Sequence, residues 1–360
     1  MNDPADAWFE TMPAVAIIDL DAYAQNLRVL RSRVAPAEFM AVVKADAYGH
    51  GLLPITRAAV NAGVGWIGAL DIDTALRLRD NGIGDETAIF AWLLATGDDL
   101  EAAVVAGVDL GVSSVEQLEA IAAMVDKRRA RVHLKIDTGL HRNGLSPEEW
   151  GPVVERAVAL KDRIDLVGAW THIAEASDDE DTAAISRFHE AVGVAQRAGA
   201  ELQVRHLAAS AAAFARGDSR LDLVRVGAFS YGISPGGGVS AAELGLVPVM
   251  TLTAPVSSVR DDTAYLAIGT GNGISSAAVN RVSIAIAGRR YPIVEMGLDW
   301  IGVRVDANLV TRGDRAVLFG TGSEGEATLQ EWADATDTIG EEIVTRLGSS
   351  IRRHYRGAVS

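Results

Sequence analysis

The chain has 360 residues, 33 basic and 48 acidic, for a formal charge of −15. That balance argues against a phosphate-neutralising face for nucleic acid and against a polybasic membrane anchor. The absence of cysteine excludes disulfides, thiolate-bound metal centres and a cysteine nucleophile, and at roughly 150 residues per domain the length suggests two domains.

The N-terminal stretch, Met1 to Pro13, is acidic and lacks the basic-then-apolar order of a signal peptide. With no run of 18 apolar residues anywhere, a soluble cytoplasmic protein is expected. From there short apolar runs alternate with amphipathic stretches. Phe39–Lys44, Gly65–Leu70, Thr87–Leu93, Leu110–Ser113, Arg131–Ile136, Leu166–Thr171, Val204–Ala208 and Leu223–Gly227 read as buried strands. Helical three-and-four spacing occupies Leu53–Ala62, Asp73–Asn81, Val115–Lys127, Pro147–Leu160 and Thr182–Ala198. This alternation implies parallel strands with crossover helices, and eight units fit a (β/α)8 TIM barrel. A doubly wound open sheet is the alternative.

The pattern changes at Ser234–Ser240 (SPGGGVS), a turn or linker signal. Beyond it come strand patterns at Val247–Thr253, Ala264–Ile268, Arg281–Ala287, Tyr291–Glu295, Gly302–Asp306 and Arg315–Phe319. Helical patterns return at Thr328–Ala335 and Glu341–Leu347. The expected organisation is an α/β barrel over residues 13–240 and a smaller, mainly β domain over 241–360, with Met1–Glu10 packing with the latter.

Chemistry in such a barrel belongs at the C-terminal strand ends. Lys44, Asp46, Tyr48 and His50 follow the first barrel strand. Lys135, Asp137, Thr138 and Arg142 follow the fifth. Thr171 and His172 end the sixth, His206 and Ser210 the seventh, and Arg225 and Gly227 the eighth. A lysine closing a buried strand is costly to hide as a cation; desolvation lowers its pKa and suits it to Schiff-base chemistry. Taken alone, Lys44 equally fits a rim lysine reaching water.

The surrounding segment, Ala41–Gly51 (AVVKADAYGHG), resembles the pyridoxal-phosphate lysine motif of the alanine racemase family. Ile18–Asn26 (IDLDAYAQN) resembles that family's opening helix, and His133–Gly144 (HLKIDTGLHRNG) its K-x-D-T-G-x-x-R-x-G segment. Trp170–Ala174, His206–Ala211 and Asp222–Gly232 resemble three further family motifs, all in family order. The resemblance implies a barrel followed by a β domain, pyridoxal 5'-phosphate as cofactor, a small amino acid as substrate and a homodimer. Lys44 would carry the cofactor covalently and act as one of two bases. Tyr48, Ser210 and the backbone of Gly227 and Ala228 would hold its phosphate. Arg225, supported by His172, would face its ring nitrogen; a guanidinium does not give up its proton, which leaves the cofactor a weaker electron sink. Arg142 and the Leu298 backbone would meet the substrate carboxylate, and Lys135 matches a lysine that can be carbamylated to orient Arg142.

Two glycine motifs carry less. Gly320–Gly325 (GTGSEG) has the G-x-G-x-x-G form, but no strand bearing an acidic residue follows as a dinucleotide site requires. Gly269–Gly273 (GTGNG) reads as a turn. His189 and His354 read as surface residues, and no histidine spacing supports a metal site.

The resemblance breaks in one place. The family's second-base tyrosine lies in a segment between the first strand after the linker and the turn at Gly269–Gly273. Here Val256–Ala264 (VSSVRDDTA) runs directly into the next strand, with about twenty residues missing by comparison with the family. Tyr265 lies within that strand and does not match, and neither do the other five tyrosines. Ala209 and the region of Ser349 also depart from the family's residues. The expectation is an isomerase interconverting L- and D-alanine or a close relative. The alternatives are one-face chemistry on another amino acid, or a non-catalytic cofactor-binding paralogue.

Overall fold

A computed structural model describes residues 14–125 and 128–357 of the chain. The residues fall into two compact units. One comprises residues 28–44 and 59–227; the other comprises residues up to Leu27, Ala45–Ala58 and Ala228 onward.

The first unit is the barrel. Its parallel strands are β2 (Glu38–Val42), β3 (Trp66–Asp71), β4 (Ala88–Leu93), β5 (Val108–Val112), β6 (Ala130–Lys135), β7 (Ile164–Trp170), β8 (Val204–His206) and β9 (Leu223–Val226). They are hydrogen-bonded in the order β8-β7-β6-β5-β4-β3-β2-β9. The ring is nearly closed: Asp222 N–H donates to the Arg205 carbonyl at 3.2 Å and Arg225 N–H to the Ala208 carbonyl at 3.1 Å. These are the eight strands anticipated from the sequence. They are legible because a strand covered on both faces is an unbroken apolar run. The crossover helices begin where side chains cap them. Asp71 accepts from Thr74 N–H at 2.7 Å, and Ser146 and Glu149 form a reciprocal capping box before Pro147.

The second unit is built on an antiparallel sheet. Strands β10 (Met250–Arg260), β11 (Thr263–Leu266), β12 (Ser283–Ile286), β13 (Arg289–Met296), β14 (Ile301–Arg304) and β15 (Arg315–Phe319) pair in a ring, since β10 bonds both β15 and β11. Two further strands extend it from β10. β1 (Val15–Asp19) pairs antiparallel with β10, and β16 (Arg352–Arg356) lies parallel to β1. The sequence reading placed residue 13 onward in the barrel and missed both strands. Val15–Asp19 is buried in the other unit's sheet, and a strand's residues do not declare which sheet it joins. The Arg352–Arg356 run alternates exposed and half-buried positions, as a charged edge strand does. The boundary at residue 240 differs likewise: residues 45–58 and 228–240 also group with the β unit. The Met1–Glu10 expectation falls outside the described residues.

No described helix is long and apolar enough to cross a membrane.

Candidate active site

Lys44 follows β2 after one residue, Val43, and is half-buried. After it the backbone turns left-handed: φ is 52° at Ala45, 53° at Asp46, 56° at Ala47 and 53° at Tyr48. For L-residues this conformation costs about 1–2 kcal/mol per residue, so something must hold it. Within the β unit, Asp46 Oδ1 accepts from Leu52 N–H at 2.9 Å and the Asp46 carbonyl from Gly51 N–H at 2.9 Å. His50 Nδ1–H reaches the Tyr48 carbonyl at 2.8 Å, and Arg353 Nε–H donates to the Gly49 carbonyl at 3.0 Å. The Tyr48 and His50 rings pack on Tyr231 at 4.9 and 4.7 Å. A Cβ on Gly49 would stand 2.3 Å from the Val344 carbonyl oxygen, and one on Gly51 1.9 Å from the Tyr355 hydroxyl. The glycines of AYGHG therefore permit both the turn and its close packing. Burial pushes the Tyr48 phenol up and brings His50 down to about 4.

The C-terminal ends of β6 to β9 gather most of the other candidates. Arg225 is 5% exposed. Its Nη1 donates to His206 Nδ1 at 2.9 Å. Its Nη2 donates to the Thr171 carbonyl at 2.8 Å, the Leu207 carbonyl at 3.1 Å and His172 Nδ1 at 3.2 Å. Its guanidinium also lies 5.1 Å from the Trp170 ring centre. Burial brings Arg225 down to about 9, with Arg142 adding to the shift and Glu175 opposing it. Lys135, 3% exposed, sits 4.7 Å over the same Trp170 ring and donates to Asn143 Oδ1. Burial, then Arg142 and Arg225, bring Lys135 down to about 8. Arg142 is exposed on the following loop. Thr138 and Thr171 share a 2.9 Å hydroxyl–hydroxyl bond. Gly227 N–H donates to Ser210 Oγ at 3.0 Å, which ties the β9 end to the helix Ser210–Ala215.

The charge balance of this cluster is one-sided. His172 is pushed down to about 2, first by burial and then by Arg225, Arg142, Lys135 and Lys44. Four cations thus act on one imidazole, while the acids that act on Lys135 and Arg225 are Asp137 and Glu175. Such a set suits an anionic ligand, because it offers phosphate and carboxylate partners. Pyridoxal phosphate has that character.

Ala228 and Leu298 belong to the β unit. Ala228 is buried and its carbonyl accepts from Ile233 N–H at 3.1 Å. Leu298 is 72% exposed and its carbonyl accepts from Gly271 N–H at 2.7 Å. The β10–β11 connection is the two-residue turn Asp261–Asp262, with Arg260 paired to Thr263. Tyr265 donates to Glu295 Oε1 at 2.9 Å on an exposed sheet face. In the Gly320–Gly325 loop the N–H groups of Gly322 and Glu324 are occupied by the Glu326 carboxylate at 2.8 and 2.9 Å, so this loop does not present them to a phosphate. Among the described residues no group of three or more His, Asp or Glu side chains could hold a metal. Sequence reasoning missed Trp170 as the buried ring under Lys135 and Arg225, and missed His133 and Asp109 beneath Arg225. The signal available was polar residues inside otherwise apolar strands.

A nearly closed parallel barrel with a lysine at one strand end, cations at others and a separate β unit defines a class: barrel enzymes built to hold an anionic cofactor. The family is fixed by comparison. Residues 18–235 match the sequence profile of the alanine racemase N-terminal domain, and residues 250–355 that of the C-terminal domain. An alanine racemase of Thermobifida fusca is 42% identical, with 96% of this chain and 99% of that protein covered. The crystal structure of alanine racemase from Streptomyces lavendulae superposes with a TM-score of 0.92 at 35% identity, covering 96% of this chain and 98% of that one. That of alanine racemase from Bartonella henselae, with covalently bound pyridoxal phosphate, gives 0.85 at 25% identity, covering 96% and 99%. The chain belongs to the alanine racemase family.

Proposed function

We propose that the protein is a pyridoxal-phosphate-dependent alanine racemase, acting through Lys44 on L- and D-alanine. The observation that carries this reading is the buried Arg225, held by His206, His172 and two carbonyls in the unit where Lys44 is one of four cations acting on His172. When bound, the cofactor supplies an electron sink that makes the substrate's α-proton removable. Lys44 removes or returns that proton at its amine nitrogen. Arg225 is the partner for the ring nitrogen and Arg142 for the substrate carboxylate; Ser210 and the Gly227 backbone are the partners for the phosphate, which would take the Gly227 N–H from Ser210 Oγ. Lys135, brought toward neutrality beside Trp170, is the positioning group for Arg142, carbamylated or not. Tyr48, Ala228 and Leu298 keep the roles their segments' resemblance implies. The reading includes a cytoplasmic location and a homodimer; sedimentation equilibrium tests the dimer.

Proton NMR of L- and D-alanine in D2O tests the proposal, using cofactor-loaded protein with Lys44→Ala as control. Loss of the α-proton signal with inversion supports racemisation; no exchange with either enantiomer overturns it. The Asp261–Asp262 turn favours a second reading, one-face chemistry by Lys44, because no segment bearing a second base is inserted there. Exchange with full retention would select that reading over racemisation.

A further inference from the structure

Below Arg225 a line of polar side chains runs through the barrel interior. His206 ends β8 and meets Arg225 Nη1 through its Nδ1 at 2.9 Å. Its Nε2 lies 2.9 Å from His133 Nδ1, in the middle of β6. His133 Nε2 lies 3.0 Å from Asp109 Oδ2, near the start of β5. Asp109 in turn accepts from Arg131 Nε and Nη2 at 2.7 and 3.1 Å. Both imidazoles are fully buried and Asp109 is 1% exposed. Phe90 packs on both rings, Trp170 stacks on His206, and Gly168 leaves room for His133, where a Cβ would stand 2.3 Å from Nδ1.

The direction of this line is forced. A guanidinium only donates, so His206 Nδ1 must be bare. A neutral His206 then carries its proton on Nε2 and gives it to His133 Nδ1. That nitrogen must also be bare, so His133 carries its proton on Nε2 and gives it to a carboxylate that only accepts. Reversing either ring sets two donors face to face. Burial would raise the Asp109 pKa, but the bonds from His133 and Arg131 outweigh it and hold the group ionised.

We propose that Asp109, near the opposite end of the barrel, is a positioning residue for Arg225: it fixes His133 and His206 as neutral Nε2–H tautomers and so anchors and orients the guanidinium. Every bond in the line is made, and a satisfied buried network specifies one geometry where a partly satisfied one does not. The consequence for the cofactor rests on the function proposed above; the tautomers do not.

The test is NMR of the full chain, cofactor-loaded, with 15N-histidine. The His133–His206 contact is the imidazole–imidazole hydrogen bond among the described residues, so a coupling across an N–H···N bond identifies the pair without substitutions. The expected donor is an Nε2 and the acceptor an Nδ1, with neither ring an imidazolium. An Nδ1 donor, or a doubly protonated ring, overturns the proposal. Asp109→Asn keeps the shape and removes the charge. It is expected to populate a second tautomer of the pair, shift the absorbance maximum of the bound cofactor, and lower kcat about tenfold with KM nearly unchanged. A folded Asp109→Asn protein with unchanged tautomers, absorbance and kcat also overturns it. If that variant does not fold, the wild-type coupling decides. If the wild type turns over no alanine, the function proposed above fails, while the tautomers and the absorbance still report on Asp109.

Discussion

The strand ends of β6–β9 and the hairpin of β10–β11 hold opposite inventories. At the former, Arg225, His172, His206 and Ser210 are tied to one another or to backbone and Lys135 to the Asn143 side chain, and most are buried. At the latter, a long strand turns over two aspartates and returns, and its one tyrosine is spent on Glu295 at the surface. One region concentrates charge where water is scarce, so each group shifts its neighbours. The other leaves most of its polar groups in solvent. The chain gathers its cations at the barrel strand ends and closes β10–β11 with nothing more than a two-residue turn.

The largest effect expected is at Lys44. Lys44→Ala should abolish α-proton exchange by 10²–10⁴-fold or more, the range for a positioned acid–base group, and should remove the absorbance of covalently bound cofactor. Both are read on one sample. Next is Arg225→Ala, which leaves His206, His172 and two carbonyls without their donor. It should lower the unfolding free energy by about 1–3 kcal/mol in urea titrations, the cost of leaving buried acceptors unpaired. The matched change in the β unit, Arg304→Ala at an exposed position of β14, should stay within about 0.5 kcal/mol. Equal effects at the two arginines would erase the contrast.

A pH series sharpens it further. Lys135 has its pKa brought down from 10.5 to about 8. Between those values the unfolded chain binds the lysine proton and the folded one does not, so stability rises with pH in that window. The penalty for burying the cation is full below about 8 and gone above 10.5. Wild-type protein should therefore gain on Lys135→Met as pH is raised from 7.5 to 10, measured as the difference in urea midpoints. A constant difference would mean that Lys135 is not desolvated, or is held as a carbamate.

How much of this was legible follows from the kind of signal each part leaves. The barrel strands declare themselves as apolar runs, and the candidate lysines and arginines as polar residues closing them. β1 and β16 did not, because their sheet is set by long-range pairing with β10. The left-handed turn after Lys44 was hidden, since Ala45, Asp46 and Ala47 carry no mark of positive φ; only Gly49 and Gly51 hint at it. The line under Arg225 was hidden for another reason. His133 and Asp109 are 24 residues apart, and a lone polar residue in a strand gains meaning only once the barrel sets it beside its partner.

The smallest expected effect bears hardest on the comparison. Asp261 holds a φ of 51° at the first position of its two-residue turn, where asparagine is better tolerated than aspartate and carries no charge beside Asp262. Asp261→Asn should raise the unfolding free energy slightly, by about a few tenths of a kcal/mol, and leave alanine turnover where it was. If this hairpin were part of the reaction machinery, a changed turn would move its neighbours and alter the rate of α-proton exchange or the enantiomeric course. An unchanged rate with a small gain in stability fits a turn that only closes a sheet. A tenfold change in rate would place the second base near this turn and reverse the contrast drawn between the two regions.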